Sequence, residues 1–80
     1  MSTDHGPGRG PDLDARGLKC PLPVIRLARL ARELPAGTTL VVLADDPAAE
    51  ADIPTWVRMR GHSVTLERQG GHTAYTVVLG

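Results

Sequence analysis

The pattern of apolar and polar residues divides the chain into alternating and helical segments. Leu13 and Ala15 alternate with charged neighbours over residues 13–16, which predicts a short strand that stops at Gly17. Residues 21–34 then change to helical spacing, with apolar side chains at Val24, Leu27, Ala28, Ala31 and Leu34. The first third of the chain therefore predicts a strand followed by an amphipathic helix.

The middle of the chain predicts a second strand and a second helix. Residues 38–44 are apolar on both faces, which is typical of an interior strand beside a parallel neighbour. A proline at position 54 cannot lie deep inside a helix that starts at Pro47, because its ring would meet the carbonyl of Glu50. We therefore expect a short turn and then a new helix that is capped by Asp52.

The remaining residues predict a hairpin, with strands at residues 63–68 and 73–79 joined through residues 69–72. The element order is β-α-β-α-β-β. Two right-handed crossovers would place both helices on one face of a four-stranded mixed sheet, an α/β (α+β) two-layer sandwich formed by residues 12–80. Residues 1–11 are rich in Gly and Pro and predict a disordered N-terminal tail.

Charge is balanced overall but unevenly distributed. Nine basic and nine acidic side chains cancel, which argues against the bulk electrostatic attraction that drives non-specific nucleic-acid binding, and we expect no direct DNA binding. Residues 1–32 hold six bases and three acids, whereas residues 33–57 hold five acids and no base. The chain shows neither a signal peptide nor a run long enough to span a membrane, so we expect a soluble, cytoplasmic protein.

The candidate chemistry lies at the single cysteine, Cys20, which falls between the first strand and the first helix. Either Cys20 is the N-cap, with the Leu22 N–H donating to its sulfur, or the helix begins at Pro23. Both alternatives leave the thiol at the positive end of the helix dipole and beside Lys19. We therefore expect the pKa of the thiol to be lower than that of a free cysteine.

Several spaced motifs resemble the TusA (SirA-like) family of sulfur carriers. They are residues 13–23, which include Cys20-Pro21-Leu22-Pro23, together with Asp46-Pro47, Asp52-Ile53-Pro54, Trp56 and Gly61-His62. The resemblance implies a sheet of order 1-2-4-3 and a persulfide carried on Cys20. It also implies a donor such as a cysteine desulfurase and an acceptor protein in tRNA thiolation, molybdenum cofactor assembly or sulfur oxidation. Leu22 stands where the tRNA-thiolation branch typically has Glu.

The predicted carrier needs no cofactor, and its partners would dock around Cys20. The nearest charges in sequence are basic, and we expect Arg16, Lys19, Arg26 and Arg29 to form the docking surface. Two other functions remain open. One is a one-cysteine redox sensor that forms a sulfenic acid, and the other is a non-catalytic RNA- or protein-binding module.

Other polar and aromatic residues have simpler explanations. His5, His62 and His72 lack the spacing that would gather them around a metal ion with Cys20, so no metal site is predicted. Turn and capping roles explain Asp46 and Asp52 better than acid–base catalysis. Trp56 and Tyr75 are expected in the core or on a sheet face.

Overall fold

The computed structural model describes residues 11–80, which form six elements in the predicted order. They are β1 (Leu13–Asp14), α1 (Leu22–Arg32), β2 (Thr39–Ala44), α2 (Ala49–Met59), β3 (Ser63–Gln69) and β4 (His72–Val78). Residues 1–10 of the predicted N-terminal tail lie outside the described residues. Within residues 11–80, neither helix is long enough and apolar enough to cross a membrane.

The four strands form one mixed sheet of order β1-β2-β4-β3. β1 pairs in parallel with β2, and β4 pairs antiparallel with both β2 and β3. The chain therefore crosses from β2 over β4 through α2, then returns to the centre of the sheet through the hairpin. This arrangement confirms the predicted sandwich and the sheet order that the family resemblance implied.

The core lies between the helices and one face of the sheet. Along β4, Thr73, Tyr75 and Val77 are buried while their neighbours are half-buried or exposed, which is the period of two expected for a strand. The helices contribute Leu27, Ile53 and Val57, which are fully buried, and Trp56 packs against the same cluster. The predicted structural roles of Tyr75 and Trp56 are therefore confirmed.

The prediction of a turn followed by a helix capped at Asp52 is wrong, because one helix runs through Pro54 from Ala49 to Met59. The first turn is closed by tighter bonds, from Glu50 N–H to the Pro47 carbonyl at 3.2 Å and from Ala51 N–H to the Ala48 carbonyl at 3.2 Å. Pro54 lies in the middle of this helix and removes one intrahelical bond, and packing of the apolar face outweighs that loss.

Candidate functional site

Cys20 lies in the loop between β1 and α1, at the sheet edge where β2 also ends. Because β1 and β2 are parallel, their following loops, residues 15–21 and 45–48, lie side by side. Cys20 is half-buried and packs against the hydrophobic core. The thiol is therefore placed at the boundary between the core and the surface.

Two neighbouring aspartates fix this loop through its backbone. Both carboxylate oxygens of Asp45 accept the Gly17 N–H, at 2.9 and 3.1 Å. Gly17 has a φ of +85°, a conformation that glycine adopts without a steric penalty. Asp46 accepts the Cys20 N–H at 2.7 Å and the Ala48 N–H at 3.3 Å. Asp46 thus has the predicted turn role, and it also holds the cysteine backbone in position.

Helix α1 begins at neither of the two predicted positions. Pro21 is the N-cap, and Leu22 and Pro23 are the first two helical residues. The Ile25 N–H donates to the Pro21 carbonyl at 3.0 Å, while the Leu22 N–H donates to the Lys19 carbonyl at 2.8 Å instead of to the sulfur. Cys20 therefore precedes the N-cap, and the proposed donor to its sulfur is used by the backbone.

The expected low pKa of the Cys20 thiol is wrong. Burial and the neighbouring carboxylates of Asp52 and Asp46 raise the pKa of the Cys20 thiol to about 11, from an ordinary value of 9.0. Both carboxylates lie on the α2 side of the site, so the sequence around the cysteine did not reveal them.

Asp46 remains ionised beside this thiol. Hydrogen bonds from the backbone of Cys20 and Ala48 lower the pKa of Asp46, and the charge of Lys19 contributes less. The carboxylate is stabilised mainly by neutral N–H groups, so its negative charge continues to act on the sulfur. Asp52 lies in the first turn of α2 and supplies the second negative charge at the thiol.

The four basic residues predicted to dock a partner have different environments. Arg16 forms an ion pair with Asp14, with Nη2 at 2.7 Å from Oδ2. Lys19 is exposed in the thiol loop, and Arg26 and Arg29 are exposed on α1. The docking role of these four residues stays a prediction, with Arg16 already paired.

Apolar side chains at the surface of the two helices were not predicted as part of the site. Leu22 and Ile25 of α1 are each 42% exposed, and Met59 at the end of α2 is 78% exposed. Met59 lies outside the helix face that buries Ile53 and Val57. An apolar residue outside the buried face of an amphipathic helix was the sequence feature that could have identified this exposed side chain. A large apolar side chain at this exposure favours contact with another molecule.

The two histidines within residues 11–80 lie at different places in the fold. The His62 ring lies 5.4 Å from the Trp56 ring, and its Nδ1 accepts the Gly80 N–H at 2.9 Å. His72 begins β4 in the hairpin, and His5 lies outside the described residues. No group of three or more metal-ligating side chains is present within residues 11–80.

The thiol is thus half-buried on a loop whose backbone N–H groups are held by Asp45 and Asp46 at one end of a small two-layer domain. The family profile of the sulfurtransferase TusA matches residues 12–79, and the chain belongs to this family. Its general role is accordingly that of a sulfur carrier acting with other proteins. The crystal structure of a SirA-like protein from Desulfitobacterium hafniense is also similar, with 31% identity and a TM-score of 0.76. That similarity covers 85% of this chain and 95% of the other.

Proposed function

We propose that Cys20 accepts a persulfide sulfur from a donor such as a cysteine desulfurase and relays it to an acceptor protein. The observation that carries the proposal is the position of Cys20, half-buried and held by Asp46 at 2.7 Å through its N–H, in a chain of the TusA family. The acceptor would belong to tRNA thiolation, molybdenum cofactor assembly or sulfur oxidation.

The transfer is an exchange between sulfur atoms with no net oxidation. The Cys20 thiol loses its proton, and its sulfur attacks the terminal sulfur of the donor persulfide. The S–S bond of the donor breaks, its electron pair stays on the donor cysteine, and Cys20 becomes a persulfide. Attack by an acceptor thiolate on the terminal sulfur then releases Cys20 as the thiolate, which regains a proton.

The high pKa of Cys20 assigns part of this chemistry to the partner. Because the free thiol is almost entirely protonated at neutral pH, its attack is slow until the proton is removed or the nearby charges are neutralised. A cation of the docked donor placed against Asp46 or Asp52 would lower the pKa of Cys20. The same features disfavour the redox-sensor alternative, since sulfenic acid formation follows thiolate character and exposure.

Mass spectrometry after incubation with a cysteine desulfurase and L-cysteine tests the proposal. The wild-type chain should gain the mass of one sulfur atom, and Cys20→Ser should gain none. Cys20→Ser is nearly isosteric and keeps the N–H that Asp46 accepts, so the loop should remain in place. Uptake of sulfur by the Ser variant, or uptake of oxygen alone by the wild-type chain, would contradict the proposal.

A further inference from the structure

A surface groove runs between α1 and α2 and starts beside the thiol loop. The part near the thiol is lined by Pro21, Val24, Asp52, Thr55, Trp56 and Met59. The distal part is lined by Ala28, Ala31, Arg32, Trp56, Arg60 and His62. Trp56 lines both parts, so the two cavities are adjacent to the same side chain. We call the whole surface the interhelical groove.

The interhelical groove has small side chains on its floor and a large apolar side chain on its rim. Ala28 and Ala31 of α1 face the groove, and their methyl groups leave space between the helices. On the opposite wall, Met59 is 78% exposed and Trp56 is half-buried. An indole and a thioether side by side are suited to cover an apolar side chain of a partner.

The two ends of the groove carry opposite charges. Asp52 lines the part beside Cys20, and Asp46 lies at the Cys20 backbone itself. The distal part is lined by Arg32 and Arg60 and by no carboxylate. Within residues 11–80, neither arginine forms an ion pair; the pairs there are Arg16 with Asp14 and Arg68 with Glu50. Two available guanidinium groups therefore stand at the end of the groove that is farther from the thiol.

We propose that the interhelical groove docks a segment of the protein that donates sulfur to Cys20, and this inference rests on the proposed function. The segment places an apolar side chain against Trp56 and Met59. It places carboxylate side chains against Arg32 and Arg60 and directs its basic end towards Asp52. The charge order along the groove fixes the direction of the segment, which brings the reacting sulfur to Cys20 and not to the opposite end of the helices.

A polypeptide fits this pattern better than a nucleic acid does. A phosphate backbone that followed the groove from Arg32 and Arg60 would meet Asp52 and then Asp46, both of which repel it. The chain as a whole is neutral, so no excess positive charge compensates for that repulsion. A peptide can carry acidic residues at one end and basic residues at the other, as the groove requires.

Direct binding of a cysteine desulfurase to the full-length chain tests the groove independently of sulfur transfer. The double variant Arg32→Glu/Arg60→Glu should weaken binding and lower the second-order rate of enzymatic loading by about 10-fold or more, with a reduced salt dependence. Met59→Ser should weaken binding at every salt concentration. Arg58→Glu is the matched control, since Arg58 lies in the last turn of α2 and does not line the groove.

Chemical loading separates failure of the groove from failure of the proposed function. Inorganic polysulfide needs no docking surface, so it should load Cys20 equally in the wild-type chain and the double variant. If the double variant bound the desulfurase and was loaded by it as well as the wild-type chain, the groove proposal would be overturned. Absence of desulfurase binding to the wild-type chain would also overturn it. The proposal would also be overturned if the wild-type chain self-associated in a concentration-dependent way, or bound RNA, and the double variant alone abolished that interaction. The groove would then have a different occupant. Failure of polysulfide to form a persulfide on the wild-type chain contradicts the proposed function only, because binding still reports on the groove.

Discussion

Asp46 and Glu50 lie close together at the start of α2 but act on their surroundings in opposite ways. Glu50 is paired with Arg68 through two hydrogen bonds of 2.9 and 2.7 Å and also accepts the Thr73 hydroxyl at 3.1 Å. Asp46 accepts backbone N–H groups, including that of Cys20 at 2.7 Å. Both carboxylates are ionised, yet only Glu50 has a guanidinium against it.

The difference separates a carboxylate whose charge is compensated by a guanidinium from one whose charge still acts on the thiol. The Arg68 charge compensates that of Glu50, and the pair ties α2 to the edge strand β3. The charge of Asp46 is held by dipoles and remains available to raise the pKa of Cys20 together with Asp52. A carrier whose thiol is kept protonated in isolation would react mainly when a partner is bound, and each variant below breaks or sharpens this contrast.

Removal of the Asp46 side chain should have the largest effect. Asp46→Ala leaves the half-buried Cys20 N–H without its acceptor, which we expect to cost about 1–3 kcal/mol of unfolding free energy. Urea unfolding of the wild-type and variant chains measures that loss. An unchanged midpoint would mean that Asp46 does not hold the thiol loop.

Removal of the Asp46 charge alone should act on the thiol. Asp46→Asn keeps a side-chain oxygen that can accept the Cys20 N–H, but it removes a negative charge from the neighbourhood of the sulfur. The pKa of Cys20 should fall, although burial of the thiol and the Asp52 carboxylate, which raise it more than Asp46 does, remain in place. Thiolate absorbance against pH measures the shift. Glu50→Gln is the matched control and should leave the pKa of Cys20 unchanged.

Removal of the Glu50 charge should act on acid stability instead. Arg68 and Thr73 lower the pKa of Glu50 to about 2 from an ordinary value of 4.5, so the pair stabilises the fold above pH 4.5 and loses this effect as the pH falls towards 2. Glu50→Gln should reduce the decrease in the thermal unfolding midpoint as the pH falls from 4.5 towards 2. The effect should be small because the Arg68 side chain is 75% exposed. If the thermal midpoints of the wild-type chain and the Glu50→Gln variant fell equally with pH, the acid-sensitive stabilisation could not be assigned to the pair of Glu50 and Arg68.

The exposed bases of α1 should have the smallest effect. Arg26→Glu with Arg29→Glu should slow loading by a desulfurase a few-fold at low salt, since steering by exposed charges acts on the association rate and is screened over about 8 Å at physiological ionic strength. Both side chains are exposed, so the fold should persist. A wild-type loading rate at low salt would show that these arginines are only a solvated helix face.

The sequence predicted the element order because its local patterns agree with the fold. The strand predicted at residues 73–79 buries Thr73, Tyr75 and Val77. Of the apolar positions predicted for the first helix, Leu27 is buried, and Val24 and Ala31 are partly buried against the core. The start of α2 was missed because Pro54 is unfavourable locally, while packing of Ile53 and Val57 favours a continuous helix. Local signals are reliable where tertiary packing reinforces them.

The candidate site was predicted in part. The sequence located Cys20 in a loop and gave Asp46 a turn role, both in agreement with the structure. It missed the direction of the pKa shift because burial of the thiol and its proximity to Asp52 and Asp46 arise only in the folded chain, when α2 packs beside the loop. It also missed Met59 and the groove, which exist only once α1 and α2 are adjacent.

The most direct test of the central claim, that Cys20 carries a transferable sulfur, follows the peptide of residues 20–26 after digestion with trypsin. The chain is first loaded by a cysteine desulfurase with isotopically labelled cysteine sulfur and then mixed with an acceptor thiol. We predict that this peptide gains one labelled sulfur atom and loses it to the acceptor, leaving Cys20 as an unmodified thiol. Label on any other peptide, a gain of oxygen instead of sulfur, or label that the acceptor thiol cannot remove would contradict the claim.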